Sequence, residues 1–234
     1  MAERMAPKSF FITGSDTGVG KTLIATGLLL AAGKRGLRTV GVKPVSAGCE
    51  RRGGQLVNED ALALQAAATV ALDYQAVNPV ALQPFLAPHI AAAQAGIELA
   101  CADLIEHLAS LQRLEADLMI VEGAGGWLVP LNATETMADV CSGLRMQAIM
   151  VVGMRLGCLN HALLTAAAIR ASGVQLAGWI ANSAEPEMVE LHENLQTLRA
   201  RLSAPLLGVI PFMGSGCAAE DIVDSLDIDS LLDS

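Results

Sequence analysis

With 234 residues the chain has room for one α/β domain with a full hydrophobic core. Its net charge of −9 leaves no basic face for nucleic acid, and 3% aromatics leave no base-stacking platform. No apolar run reaches the length of a membrane span, and the polar residues 1–9 lack the apolar centre of a signal peptide.

Residues 9–14 form the first predicted strand, an apolar run that enters Gly14-Ser15-Asp16-Thr17-Gly18-Val19-Gly20-Lys21-Thr22. A helical run over 21–35 follows. Strand, Gly-rich turn and helix in that order suit a phosphate-binding loop. The turn's N–H groups and the helix dipole converge on an anion there. In that reading Lys21 reaches the β- and γ-phosphates of ATP and the Thr22 hydroxyl ligates Mg²⁺. Five residues separate Gly14 from Gly20, so Ser15 takes the place of the pattern's first glycine. The competing reading is a Gly-rich turn with a surface lysine.

Residues 39–43 read as the second strand, and Pro44 keeps Lys43 extended at its carboxyl end. The stretch 47–58 reads as a loop. Asn58 is the expected N-cap of a helix over 61–70, with Glu59 and Asp60 in its first turn. Pro79, Pro84 and Pro88 exclude a long helix over 73–90, which reads as an irregular excursion. Residues 91–112 are helical, with Gly96 as a candidate break. Residues 117–122 form a strand ending in Glu122 and a flexible turn, Gly123-Ala124-Gly125-Gly126.

Beyond it come a short helix over 136–144 and a strand over 147–152 that ends at Gly153. A helix over 160–172 is expected to be capped by Asn160. A strand over 175–181 ends at Asn182. A helix over 186–202 and a strand over 206–210, ending at Pro211, complete the series. The remainder, from 214, is small and acidic. Strands alternate with helices and are continuously apolar. That predicts an α/β fold, a mostly parallel sheet with helices on both faces in a P-loop NTPase-like architecture, as a single domain over 1–234. The five cysteines are odd in number and none has CxxC spacing, which fits free thiols in a reducing, cytoplasmic setting.

In open α/β sheets the ligand sits outside the carboxyl ends of the strands. Glu122 stands at such an end, as a Mg²⁺ ligand or as a cap on the following turn. Its glycines would let backbone approach the phosphates. Asp60 either serves a metal or favours its helix dipole. A lysine ending a buried strand calls for an anion, so Lys43 either clamps a phosphoryl group or carboxylate or reaches out to solvent. Asn182 could read a nucleotide base through its amide, or be an ordinary turn residue. His107 and His192 fall on helices and read as solvated. The scattered histidines support no claim of a Ser/His/Asp arrangement.

Gly14–Thr22 (GSDTGVGKT), Lys43-Pro44-Val45, Asp60-Ala61-Leu62, VEGAGG at 121–126, VVGMRLGCLNHA at 151–162 and LLGVIP at 206–211 together resemble the dethiobiotin synthetase family, in order and over nearly the whole chain. The resemblance implies ATP- and Mg²⁺-dependent carboxylation of 7,8-diaminopelargonate by CO₂, through a carbamate, in a cytoplasmic homodimer. It implies that Asp16, Thr17, Gly18, Val19, Gly20, Lys21 and Thr22 hold the phosphates, with Gly123, Ala124 and Gly125 beside them. Thr22, Asp60 and Glu122 become the metal set. Lys43, with Lys21, becomes the catalytic cation. Asn182 and the backbone of Pro211, Phe212 and Met213 would hold the adenine. Gly157 and Asn160 would meet the diamino acid, from the neighbouring subunit.

Two positions depart from the family pattern. The family places Ser or Thr four residues after the lysine; here that residue is Ala47, preceded by Ser46. Either Ser46 makes the substrate contact by a local shift, or the contact is lost. The tail after Pro211 is small-residue rich from Gly214 to Ala219. The alternative function is a partitioning or switch ATPase. Such proteins carry an extra lysine early in the loop, where this chain has Ser15 and Asp16, and tend to need a membrane or DNA surface.

Overall fold

The computed structural model describes residues 6–183, 188–214 and 216–233. Strands are β1 (Lys8–Gly14), β2 (Thr39–Val42), β3 (Val45–Ala47), β4 (Glu50–Arg52), β5 (Gln55–Val57), β6 (Val80–Leu82), β7 (Leu118–Gly126), β8 (Gln147–Gly153), β9 (Leu176–Asn182) and β10 (Leu206–Ile210). Helices are α1 (Lys21–Lys34), α2 (Glu59–Ala67), α3 (Tyr74–Val77), α4 (Pro88–Ala95), α5 (Cys101–Leu111), α6 (Met137–Gly143), α7 (Cys158–Ala171), α8 (Leu191–Arg201) and α9 (Ile228–Leu232), with a 3₁₀ turn at Ala219–Ser225 before α9.

Six strands make the central sheet in the order β10-β9-β8-β1-β7-β2, and every neighbouring pair is parallel. Alternate side chains sort to its two faces. Phe10 and Ile12 pack with Ile24 and Leu28 of α1 and with Ile222 of the 3₁₀ turn. Phe11, Met119 and Val121 pack on the other face with Leu104, Leu108 and Val140 of α5 and α6. Met150, Val152 and Trp179 continue that face under Leu198 and Leu202. Burial on both faces is why these strands read as unbroken apolar runs. β1 lies between β7 and β8, so successive crossovers leave on opposite sides of it. The crevice at its carboxyl end is the switch point where such sheets bind ligands.

Several expectations are corrected. The stretch 47–58 is not a plain loop: β4 and β5 pair antiparallel across Gly53 and Gly54, whose φ angles of 57° and 86° form the turn. β7 does not stop at Glu122 but runs through its glycines to Gly126, with a bulge where the register against β1 shifts between Ile12 and Gly14. The 73–90 excursion contains α3 and β6, and Pro88 opens α4. The helix after it breaks at Gly96, φ 68°, as expected. α7 starts at Cys158, so Asn160 lies inside its first turn and Gly157, φ 96°, takes the cap position. The expected helix start at Pro186 lies outside the described residues, as do the first five residues and Ser215; the helix itself is α8. His107 is half-buried, with its Nε2 2.8 Å from the Ala76 carbonyl.

Candidate active site

The phosphate loop leaves β1 at Gly14 and enters α1 at Lys21. Gly20, the residue before α1, has φ 87° and no side chain caps the helix, so its first N–H groups stay available to an anion. A side chain at position 20 would begin 2.2 Å from Asn182 Nδ2. Glycine is therefore required twice there, by conformation and by space. Lys21 is buried and its Nζ folds back to the Asp16 carbonyl at 3.5 Å. Burial, and then the charge of Lys43, pull the Lys21 ammonium below its usual range.

At the end of β2, Lys43 is only 5% exposed. Its Nζ lies 2.6 Å from Glu122 Oε1 and 3.0 Å from Asp60 Oδ2, and 3.4 Å from the Gly123 carbonyl. Burial works against its charge, but Glu122 and Asp60 outweigh that and hold the group above its usual range. Asp60 shows the mirror image: burial would raise it, and the Lys43 charge holds its carboxyl below the usual range. Thr22 Oγ1 donates to the same Glu122 Oε1 at 2.9 Å. Asp60 reaches this point because Asn58 caps α2, its Oδ1 accepting from the Asp60 and Ala61 N–H groups. Thus Lys21 and Thr22 from the start of α1, Asp60 from the start of α2, Lys43 from the end of β2 and Glu122 from within β7 share one rim.

Glu122 is 1% exposed and its Oε2 has no hydrogen-bond partner. A buried carboxylate oxygen left open, beside a second carboxylate and a hydroxyl, is a hard-oxygen donor set of the kind Mg²⁺ takes. No group of three or more His, Cys, Asp or Glu side chains fit to hold a metal alone occurs among the described residues. The nucleotide phosphates would have to complete the coordination.

Asn182, at the end of β9, donates from Nδ2 to the Val19 carbonyl at 2.8 Å, so its amide braces the phosphate loop from behind. Pro211, Phe212 and Met213 are exposed just past β10. Gly123 packs under the Phe11 ring, and Ala124 and Gly125 line a cleft of about 400 Å³ together with Thr17, Lys43 and Asp60. Ser46 and Ala47 also line it, but the Ser46 hydroxyl donates inward to Asn78 Oδ1 at 2.7 Å. Gly157 and Asn160 are exposed at the start of α7.

Sequence reasoning missed two groups. Asn78 is buried, and its Nδ2 donates to the Lys43 carbonyl at 2.6 Å while its Oδ1 accepts from Ser46 and, at 3.0 Å, from Tyr74. It fixes the backbone of the lysine. Arg155 pairs with Asp16 at 2.6 Å, with His161 Nδ1 4.0 Å from the same carboxylate oxygen. An asparagine before a proline and a charge in a glycine-rich stretch were the available signals, and neither names its partner.

A family described as "AAA domain" matches residues 8–216. The curated ATP-dependent dethiobiotin synthetase of Cellvibrio japonicus is 52% identical over 230 residues, covering 98% of this chain and 100% of that protein. The chain belongs to the dethiobiotin synthetase family. The synthetases of Pseudomonas aeruginosa (52% over 203 residues, 87% of this chain and 89% of theirs) and Xanthomonas axonopodis pv. citri (49% over 215 residues, 92% and 96%) agree. Among solved structures, MinD of Aquifex aeolicus superposes with TM-score 0.54 at 15% identity, covering 94% of this chain and 86% of its own. FtsY of Elizabethkingia anophelis gives 0.56 at 14%, covering 100% and 66%. At such identities these two show the P-loop fold alone. Membership of the synthetase family makes the chain an ATP-dependent ligase and sets aside the switch-ATPase alternative.

Proposed function

We propose that the chain forms the ureido ring of dethiobiotin from 7,8-diaminopelargonate, CO₂ and ATP. The observation that carries the reading is the buried Lys43 ammonium, 2.6 Å from Glu122 and 3.0 Å from Asp60, in the lining of the cleft next to the phosphate loop. A cation held ready there can neutralise charge as it develops on a transferring phosphoryl group.

In this reading one substrate amine adds to CO₂ and loses a proton, giving a carbamate. A carbamate oxygen attacks the γ-phosphorus of ATP, the bond to ADP breaks, and a carbamic-phosphoric anhydride results. The second amine attacks the carbonyl carbon, closes the ring and expels phosphate. Lys21 and the α1 N–H groups hold the phosphates, and Lys43 faces the carbamate and γ-phosphoryl oxygens. At about 4 Å each such contact gives roughly 4 kcal/mol at an effective dielectric near 20. Thr22, Asp60 and Glu122 would hold Mg²⁺, which lowers the charge repulsion between the phosphates and their attacker. Gly123, Ala124 and Gly125 flank the phosphates. Asn182 fixes the loop behind them, with the backbone of residues 211–213 toward the adenine.

α7 starts without a side-chain cap at Gly157, which suits the substrate carboxylate. Leu156 is fully exposed and Leu164 is 62% exposed on the same segment. These leucines support a homodimer in which one subunit's α7 meets the other's cleft. The test is to incubate the pure protein with ATP, Mg²⁺, bicarbonate and diaminopelargonate and to follow dethiobiotin by mass. ATP hydrolysis unaffected by the diamine, with no dethiobiotin formed, would refute the proposal.

A further inference from the structure

The cleft beside Lys43 has two characters. Lys43, Asp60 and Thr17 give it polar lining, and Ala47, Phe85 and Val129 line it with apolar side chains. Phe85 is 89% exposed. A single exposed aromatic is ordinary, but this one is held in place by backbone. β3 pairs in parallel with β6, Ala47 opposite Leu82. The Cys49 N–H donates to the Leu82 carbonyl at 2.9 Å and the Gly48 N–H to the Pro84 carbonyl at 3.0 Å. The ring then lies on Gly48: a side chain at 48 would begin 2.5 Å from Phe85 Cδ2, and its φ of 74° favours glycine as well. An apolar face is thereby fixed in the cleft lining, near a position where the chain carries Ala47 and no hydroxyl. The hydroxyl of the adjacent Ser46 is committed to Asn78.

We propose that Phe85 is a specificity-determining residue that grips the alkyl chain of the diamino acid, so that this enzyme selects its substrate by aliphatic length instead of by a hydroxyl contact at position 47. The inference rests on the reaction proposed above. A vicinal diamine lies at Lys43 and its methylenes run out under the ring. Contact with a chain that does not change during the reaction is equal in ground and transition states, so it lowers KM without altering kcat.

The experiment is steady-state kinetics with vicinal diamino acids that differ by one methylene at a time, for the parent, Phe85→Ala and Phe85→Leu. For the parent, kcat/KM should fall about fourfold per methylene removed. In Phe85→Ala that dependence should flatten. Its KM for diaminopelargonate should rise roughly tenfold, while kcat and the KM for ATP hold. Phe85→Leu should keep most of the discrimination. An exposed ring contributes little to folding, so an unchanged melting temperature certifies the variant. Parent and Phe85→Ala sharing one chain-length dependence would overturn the role of Phe85 alone. Failure of the parent on every diamine would overturn the reaction and this inference with it.

Discussion

Replacing Lys43 by methionine keeps the length of the side chain and deletes its charge. Glu122 is then a nearly fully buried carboxylate whose remaining partner is the Thr22 hydroxyl at 2.9 Å. Asp60, with its side chain 41% exposed, can turn to water and adds little. Leaving one member of a buried pair alone costs about 3–5 kcal/mol. In a chain of this size each kcal/mol moves the melting temperature by about 2–4 °C, so a drop of roughly 10 °C is expected. Adding Glu122→Gln removes the stranded charge and should recover about 2 kcal/mol or more, a strongly non-additive cycle. Urea unfolding followed by the fluorescence of buried Trp127 and Trp179 reads both numbers. If K43M matches the parent in stability, or if the two substitutions simply add, the charge balance described for this rim is wrong.

Three further outcomes are expected. Because Lys21 is pulled down in the nucleotide-free protein, phosphate binding should restore its proton. Calorimetry of ATP binding in buffers of different ionisation enthalpy should show proton uptake that grows as pH becomes alkaline, and none in Lys21→Met. The Asp60 carboxyl sits below its ordinary value of 3.8, so its pairing stabilises the fold above that value and is lost as pH falls through the lower, folded value. The stability gap between the parent and Asp60→Asn should therefore be open at neutral pH and close below pH 3.8; a gap that persists in acid would count against the pairing. Burial pushes the thiols of Cys101 and Cys141 up to about 12, and Cys217 is the least buried of the five. At pH 8 a thiol reagent should label Cys217 first, and all five after unfolding; fast labelling of Cys141 would contradict the core described here.

The central sheet was legible because each of its strands is buried on both faces and so is spelled as one apolar run. Residues 206–210 and 147–153 needed no partner to be recognised. The short strands were not. β3, β6 and the β4–β5 hairpin are three residues each, too short for a periodic signal, and are fixed by tertiary pairing and by the Gly53-Gly54 turn. At the site, the phosphate loop and Lys43 stood out because their chemistry conflicts with their surroundings. A lysine closing a buried strand needs a counter-charge, and the structure supplies two. The partners of Asn182 and Asp16 could not be read, because they lie 163 and 139 residues away in the chain. Asn160 was misread as a cap because a glycine can end the preceding loop without any side-chain hydrogen bond.

The amide of Asn182 and the guanidinium of Arg155 fasten the phosphate loop at its two shoulders. Its shape is settled when the chain folds, so the mould is finished before any nucleotide enters it. Little disorder is left to lose at capture. We expect spent ADP, which carries the same inner phosphates, to be held nearly as firmly as fresh ATP. A burst of phosphate followed by a slower steady rate would be the sign that departure of ADP sets the pace, and a linear time course from the first turnover would show that it does not.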